Sequence, residues 1–326
     1  MFNYILRRIL YAMPTLLGVN ILIFALFFVV NSPDDMAITI LGDKNITQED
    51  INNWKKENGY DLPLFMNMQV PGLSKITETI FYQKSIHLLL FDFGKSDRNN
   101  IDIGDQISLR MAPSLAIAIP TFILGVLVNI TFALIVAFFR ATYIDYWGLI
   151  FCVISMSIST LFYIIGGQYL FSICLRLVPI SGYDTGVHMI KFVILPVSIG
   201  LIAGIGTGVR FYRTIFLEVL SNDYIRTARA KGLSEKKVLF KHALKNAMIP
   251  ILTGLVMTIP FLFYGSLLME AFFAIPGLGG YTLEAINAQD FAIVRAMVYL
   301  GAVLNVIGLI LTDISYTLVD PRVRLN

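Results

Sequence analysis

The sequence predicts an all-α integral membrane protein with six transmembrane helices and an extended extracytoplasmic segment after the first. Composition points there first: 56% of the 326 residues are hydrophobic and only 14% are charged, against about a quarter charged in ordinary soluble domains. Mean hydropathy is +0.73. Six charge-free runs then reach or approach the roughly 20 residues that cross a bilayer as a helix, the conformation that satisfies its own backbone polar groups in lipid. Finally, Lys and Arg concentrate where an even alternation of crossings puts one side of the membrane.

In chain order the runs cover residues 9–33, 111–139, 146–175, 192–209, 246–269 and 296–312. Residues 1–33 thus form an N-terminal tail and first span, 34–110 the extracytoplasmic segment, and 111–326 a core with five further spans. The first run follows Arg7 and Arg8. It is too long for a signal-peptide apolar region and has no clean small-x-small cleavage site, so it reads as a retained span. The fourth and sixth runs are short, and Arg210 and Asp313 at their ends would reach back to the interface. Pro120, Pro196 and Pro260 fall inside runs and predict kinks. Gly204, Gly206 and Gly208 predict close helix contact.

Arg7 and Arg8 orient the N-terminus to the cytoplasm. Six crossings return the loop after span four to that side, where Arg210, Arg213, Arg226, Arg229, Lys231, Lys236, Lys237, Lys241 and Lys245 accumulate. Arg322 and Arg324 place the C-terminus there too. The 34–110 segment reads as short helices and turns, with a helix starting near Thr47 and stopping at Asn58-Gly59. Its returning aromatic and aliphatic residues suit a cap on the outer membrane surface, either a structural lid or a partner contact.

Several chemistries find no support. The net charge of +3 implies no nucleic-acid partner. His87, His188 and His242 show no ligand spacing with Cys, Asp or Glu, so no metal site is assigned. Asp92-Phe93-Gly94 spells a kinase motif without its companions and reads as chance. No G-x-x-x-x-G-K-[ST] loop occurs. Cys152 and Cys174, roughly 33 Å apart along a helix, cannot pair.

The stretch RTARAKGLSEKKVLFKHALKNA, 226–247, lies within a predicted cytoplasmic loop at 222–248. Asn222 or Asp223 would cap a first helix, Gly232 interrupts it, and Ser234 would cap a second. At 100° per residue Leu239, Phe240, Ala243, Leu244 and Ala247 share one arc, while Lys237, Lys241 and Lys245 form a stripe on another. Three readings compete: a topology determinant lying on membrane lipid, a target helix for a soluble regulator, and a docking element for a cytoplasmic subunit. The glycine bend and small Ala228 and Ala230 favour docking, because they would let a backbone seat closely.

Residues 224–250, YIRTARAKGLSEKKVLFKHALKNAMIP, resemble the cytoplasmic EAA loop of ABC importer permeases, in the form typical of the dipeptide, oligopeptide and nickel branch. RRILYAMPTLLGVNILIF, DFGKS, AFFAIPGLGGYTLEAI and LVDPRVR resemble that branch at corresponding places. Aligned on Gly232, the general pattern would put its acid at Arg226 and its proline at Lys245, and SPDDM stands after the first span where the family has Pro-Gly-Asp-Pro.

The resemblance implies a type I ABC importer permease in the bacterial inner membrane, non-catalytic and without bound cofactor. It would work with a homologous second permease chain, two cytoplasmic ATPase subunits holding ATP and Mg, and an extracytoplasmic solute-binding protein. Arg226, Ala228, Arg229, Lys231, Gly232, Leu233 and Ser234 would then form the ATPase-coupling site. Ala228 and Gly232 would allow close approach, Leu233 would fill an apolar pocket, and Arg229 and Lys231 would meet the rim. Pro276, Gly277, Leu278 and Gly279 would shape the external mouth or a binding-protein contact. The alternatives are a self-contained secondary carrier or channel, whose basic loop only sets topology, and a receptor or scaffold that moves no solute.

Overall fold

A computed structural model describes residues 2–42 and 46–319, with side chains from 6 to 315. Helix α1 (Phe2–Phe24) continues through a wider π turn to Val30, and α2 (Pro33–Leu41) and α3 (Gln48–Asn58) follow. Next come α4 (Ile103–Phe138), α5 (Tyr143–Ser157), α6 (Thr160–Gly167, prolonged by a π stretch to Cys174), α7 (Met189–Ser221) and α8 (Asp223–Ala230). The turn Glu235–Lys237 and π stretch Val238–Leu244 lead into α9 (Lys245–Thr258), and α10 (Leu267–Phe272), α11 (Leu278–Ala288) and α12 (Phe291–Val319) complete the order. Among the described residues there is no named strand, only an isolated bridge between Lys95 and Asp102.

Among the described residues, five stretches are long and apolar enough to span a membrane: Leu6–Val30, Ile103–Phe138, Gly186–Ser221, Glu235–Phe272 and Phe291–Ser315. The sixth is a broken one. The run expected as a continuous helix at 146–175 bends by 87° between Ser157 and Thr160. Ile158 and Ser159 adopt extended backbone there, which ends the hydrogen-bond ladder of α5, and Ser159 opens α6. Cys152 and Cys174 are both free on either side of the break.

Register fixes the alternation of crossings. Arg8 Nε pairs with Asp313 at 3.0 Å, while Ile23 packs with Tyr299 and Val303, so α1 and α12 are antiparallel. The α4 sites Thr121 and Asn129 oppose Gly200 and Gly208, so α4 and α7 run parallel. Arg213 holds Asp145 through two 2.9 Å bonds, and Ser155 Oγ donates to the Ile202 carbonyl, so α5 runs against α7. One end of the bundle therefore gathers Arg8, Arg140, Arg213 and the 222–234 loop, and is called the basic end below. The opposite end gathers the described residues of 31–102, together with 175–188 and 265–290.

Gly206 and Gly208 are needed for this packing: a Cβ would fall 2.5 Å from the Cys152 carbonyl at one and 2.3 Å from Asn129 Nδ2 at the other. Gly204 meets nothing within 4 Å, so the close contact expected of all three belongs to two. Pro120 and Pro196 lie within α4 and α7, while at Pro260 the helix tightens into the 3₁₀ turn Ile259–Tyr264.

The 31–102 segment is fastened to the bundle. In the SPDD stretch Ser32 Oγ accepts from the Asp35 N–H at 3.2 Å, Asp35 returns the bond to the Ser32 N–H, and Pro33 opens α2. Such a capping box stabilises a helix start by about 1 kcal/mol. Thr47 and Asp50 repeat it at α3, and Gly59 ends α3 with φ +69°. Phe24, Phe28, Met36, Ile51, Trp54, Tyr60 and Ile80 form one small core with the end of α1. Below it, Tyr60 donates to Asp97 at 2.7 Å, Asp97 accepts the Ala292 N–H at 3.0 Å, and Ser96 Oγ donates to Asp290. The DFGKS stretch and the residue after it thus hold the N-terminus of α12. Burial raises both the Asp97 carboxyl and the Tyr60 hydroxyl above their ordinary values. In Asp92-Phe93-Gly94 the carboxylate accepts from the Gly94 N–H at 3.2 Å and faces His87 Nδ1 at 3.0 Å, closing a turn.

Candidate functional site

The loop after α7 presents a short helix and a defined stop. Asn222 stands at the N-cap of α8 by backbone, but its side chain donates back to the carbonyls of Glu218 and Val219 at 3.2 and 3.3 Å. It closes the end of α7 instead of capping α8. Ser234 likewise begins the next helix without a side-chain cap bond. At the far end of α8, the Leu233 N–H reaches the Ala228 carbonyl at 3.4 Å and the Gly232 N–H reaches Arg229 at 2.9 Å. With Gly232 at φ +74° this is a Schellman stop. The predicted bend is therefore a helix terminus, and glycine is favoured there by its left-handed backbone.

Burial divides the predicted coupling residues. Ile225 and Ala228 are buried, and Leu233 is half-buried, all against Phe216, Val219, Val238 and Leu239 of the same chain. Ala228, expected to permit a partner's close approach, and Leu233, expected to fill an apolar pocket, both pack on this chain's own bundle, Ala228 buried and Leu233 in part, and the small Ala228 lets α8 lie close there. Arg226, Thr227 and Ala230 are exposed on the opposite face, as are Lys231, Gly232 and Ser234. A Cβ at Gly232 would meet nothing within 4 Å, so that point is open to a neighbour. Arg229 is bound within the loop, its Nε and Nη2 donating to the two Glu235 oxygens at 3.0 and 3.3 Å. Lys231 makes no ion pair among the described residues.

The second half of the loop departs from the simple wheel. Val238, Ala243, Ala247 and Ile251 are fully buried, whereas Phe240, expected inside, is exposed. The π stretch Val238–Leu244 adds a residue to one turn and shifts the phase. Lys237, Lys241 and Lys245 remain exposed.

At the opposite end, the Pro276–Gly280 turn wraps a buried carboxylate. Glu270 is 1% exposed. Its Oε1 accepts from Ser114 Oγ at 2.8 Å and the Ser266 N–H at 3.0 Å, and its Oε2 accepts from the Gly280 N–H at 2.9 Å. Ser114 in turn accepts the Leu278 N–H at 2.8 Å. A Cβ at Gly277 would lie 2.3 Å from Glu270 Oε2, and one at Gly279 would lie 2.6 Å from the Ser266 backbone. Gly277, Leu278 and Gly279 are thus internal, and only Pro276 reaches the surface, where it lines a cavity of about 390 Å³ with Arg110, Leu283 and Glu284. Of the four residues expected to shape an external mouth or a binding-protein contact, only Pro276 is exposed, and the other three build the turn beneath it. In the sequence Glu270 is one more charge near the end of an apolar run, and nothing adjacent marks Ser114 as its partner.

A neighbouring cavity of about 370 Å³ opens between α4, α7 and α9, bordered by Ile117, Thr121, Gly200, Phe261, Met269 and Glu270. The bundle of alternating apolar crossings is that of a multi-span membrane protein, with this cavity in its wall toward the 265–290 end and an exposed helix, α8, at the basic end. The comparisons agree. Residues 129–325 match the family described as binding-protein-dependent transport system inner membrane component, and residues 1–118 match its N-terminal companion. The chain is 33% identical over 325 residues to a Brucella abortus (strain 2308) protein named as a peptide transport system permease protein, covering 98% of each. It is 33% identical over 325 residues to the glutathione transport system permease protein GsiC of Salmonella typhimurium (strain LT2), covering 99% of each. The chain belongs to the binding-protein-dependent inner-membrane permeases, as a permease subunit of a peptide-type ABC importer. The self-contained carrier and the scaffold are set aside by this membership. The Leu318–Arg324 motif reaches beyond the described residues, and Arg322 and Arg324 lie outside them.

Proposed function

We propose that this permease imports peptides or a related small thiol peptide such as glutathione, and that α8 is the point where ATP hydrolysis on a separate subunit reaches it. The basic end then faces the cytoplasm, with both termini, and the 31–102 segment faces outward. One homologous permease chain completes the pathway, two ATPase subunits hold ATP and Mg, and a solute-binding protein delivers cargo to the outer side.

The observation supporting this is the division of α8 into two faces. Ile225 and Ala228 tie it to the bundle, so a push on α8 moves α7 and α9 with it. Arg226, Thr227 and Ala230 are left for a groove on the partner. The Arg229–Glu235 pair links α8 to the residues after its stop, and Lys231 and the open Gly232 edge meet the groove's rim. Work is transmitted because the groove differs between ATP-bound and ATP-free subunits, and only a differential contact shifts a conformational equilibrium.

The test replaces outward residues, since a change at Ala228 would damage the permease itself. Ala230→Trp together with Thr227→Trp should abolish solute-stimulated ATP hydrolysis in the assembled importer while leaving the thermal stability of the permease unchanged. Full stimulation in the doubly substituted complex would defeat the assignment.

A further inference from the structure

We propose that residues 62–73, the charge-free loop LPLFMNMQVPGL, form an interfacial anchor that sits in the headgroup and acyl boundary of the bilayer. Its occupant is lipid. Depth is the first argument. The Phe65 ring lies 5.1 Å from Phe24, and Phe24 is six residues inside the Val30 end of the apolar Leu6–Val30 span. The loop is held at that level by backbone bonds from Ile80 N–H to Pro63 and Phe81 N–H to Leu64, both 3.0 Å. The following helical stretch reaches deeper, where buried Asn20 Nδ2 donates to the Ser85 carbonyl at 2.8 Å and Leu88 packs on Ile23.

Chemistry is the second argument. Met68 is 77% and Leu73 83% exposed, beside half-exposed Phe65 and Met66. Unpartnered apolar side chains of this size in water are unfavourable by about 25 cal/mol per Å², and no charge interrupts them from 62 to 73. On α1, Leu26, Val29 and Val30 are exposed as well, and by the hydropathy of the span they face lipid. Asp61 and Lys75 bracket the loop, which places charge at the headgroups and aromatic and Met side chains beneath them. The identity of the leaflet as the outer one rests on the proposed orientation; the depth does not.

Single spin labels at Met68→Cys and Leu73→Cys, in the full chain with Cys152→Ala and Cys174→Ser, test this in vesicles of phosphatidylethanolamine and phosphatidylglycerol. Oxygen accessibility should exceed that of a water-soluble nickel chelate at both sites, as at Val30→Cys, with the ratio reversed at Thr185→Cys. A reversed ratio at Met68 and Leu73 would overturn the proposal. So would a ratio that turns lipid-like only when solute-binding protein is added, which would make the loop a protein-docking surface. Because no ATPase takes part, failure here leaves the coupling assignment standing, and failure of coupling leaves this result unchanged.

Discussion

Replacing Glu270 tests the reasoning about the glycine-rich turn most sharply. Its carboxylate receives three hydrogen bonds, from Ser114 Oγ, Ser266 N–H and Gly280 N–H, at 2.8 to 3.0 Å in a 1% exposed setting. All three neighbours donate. Glu270→Ala strands three buried donors, and a stranded donor costs about 1–3 kcal/mol, so the loss approaches several kcal/mol before water entry offsets part of it. Glu270→Gln keeps the shape and leaves one oxygen. If that oxygen stays with Ser114 and Ser266, the amide faces the Gly280 N–H and a single donor is stranded, costing about 1–3 kcal/mol. The expected order is wild type, then Gln, then Ala. Gly277→Ala should fall near the Ala variant, because its Cβ would sit 2.3 Å from Oε2 and force the carboxylate out. Thermal denaturation of the purified permease in one detergent, followed by the fraction remaining monodisperse, gives the order. An Ala variant as stable as wild type, or a Gln variant less stable than Ala, would refute the buried-carboxylate account.

Further expectations follow from single contacts. Gly232→Val should lower stability by about 1–2 kcal/mol, the cost of a β-branched residue at φ +74°, and Gly232→Asn by less, measured by the same melts. Asp145→Ala leaves Arg213 without its two 2.9 Å partners in a largely buried site, which predicts a loss of about 3–5 kcal/mol; the double variant with Arg213→Ala should recover part of it in a double-mutant cycle. The His87 hydrogen bond holds the Asp92 carboxyl below 3.8. Its contribution is therefore present above pH 3.8 and is lost as pH falls through the lower folded value, so amide exchange at 92–94, corrected for intrinsic rate, should quicken only on acidification through that range.

Most of the scaffold was legible because lipid imposes a coarse rule: charge-free runs of sufficient length become spans, and five of the six did so without a sharp bend. The third misled because Ser155, Ser157 and Ser159 carry no charge, so a hydropathy count passes over them while the backbone turns by 87° at the last two. Periodicity failed where the helix itself changed period. At 100° per residue Val238 falls outside the arc that holds Phe240, yet the π stretch buries the first and exposes the second. At α8 the spacing of Ile225 and Ala228 already implied an inward face, but attention to small residues as docking points assigned Ala228 to a partner. Glu270 lay beyond local reading altogether, since its meaning depends on Ser114, which is remote in the chain and adjacent only after α4 meets the 265–280 turn.

The central claim is that α8 presents its outward face to an ATPase subunit on the cytoplasmic side. Its most direct measurement places a photoreactive benzoylphenylalanine at Ala230 of the full chain in cells producing the whole importer, with Thr185 as the matching position at the opposite end. The account predicts a covalent adduct with the ATPase subunit from Ala230, diminished or enhanced by trapping the nucleotide state, and none from Thr185. An ATPase adduct from Thr185, or none from Ala230 in an importer that still hydrolyses ATP in response to solute, would contradict it.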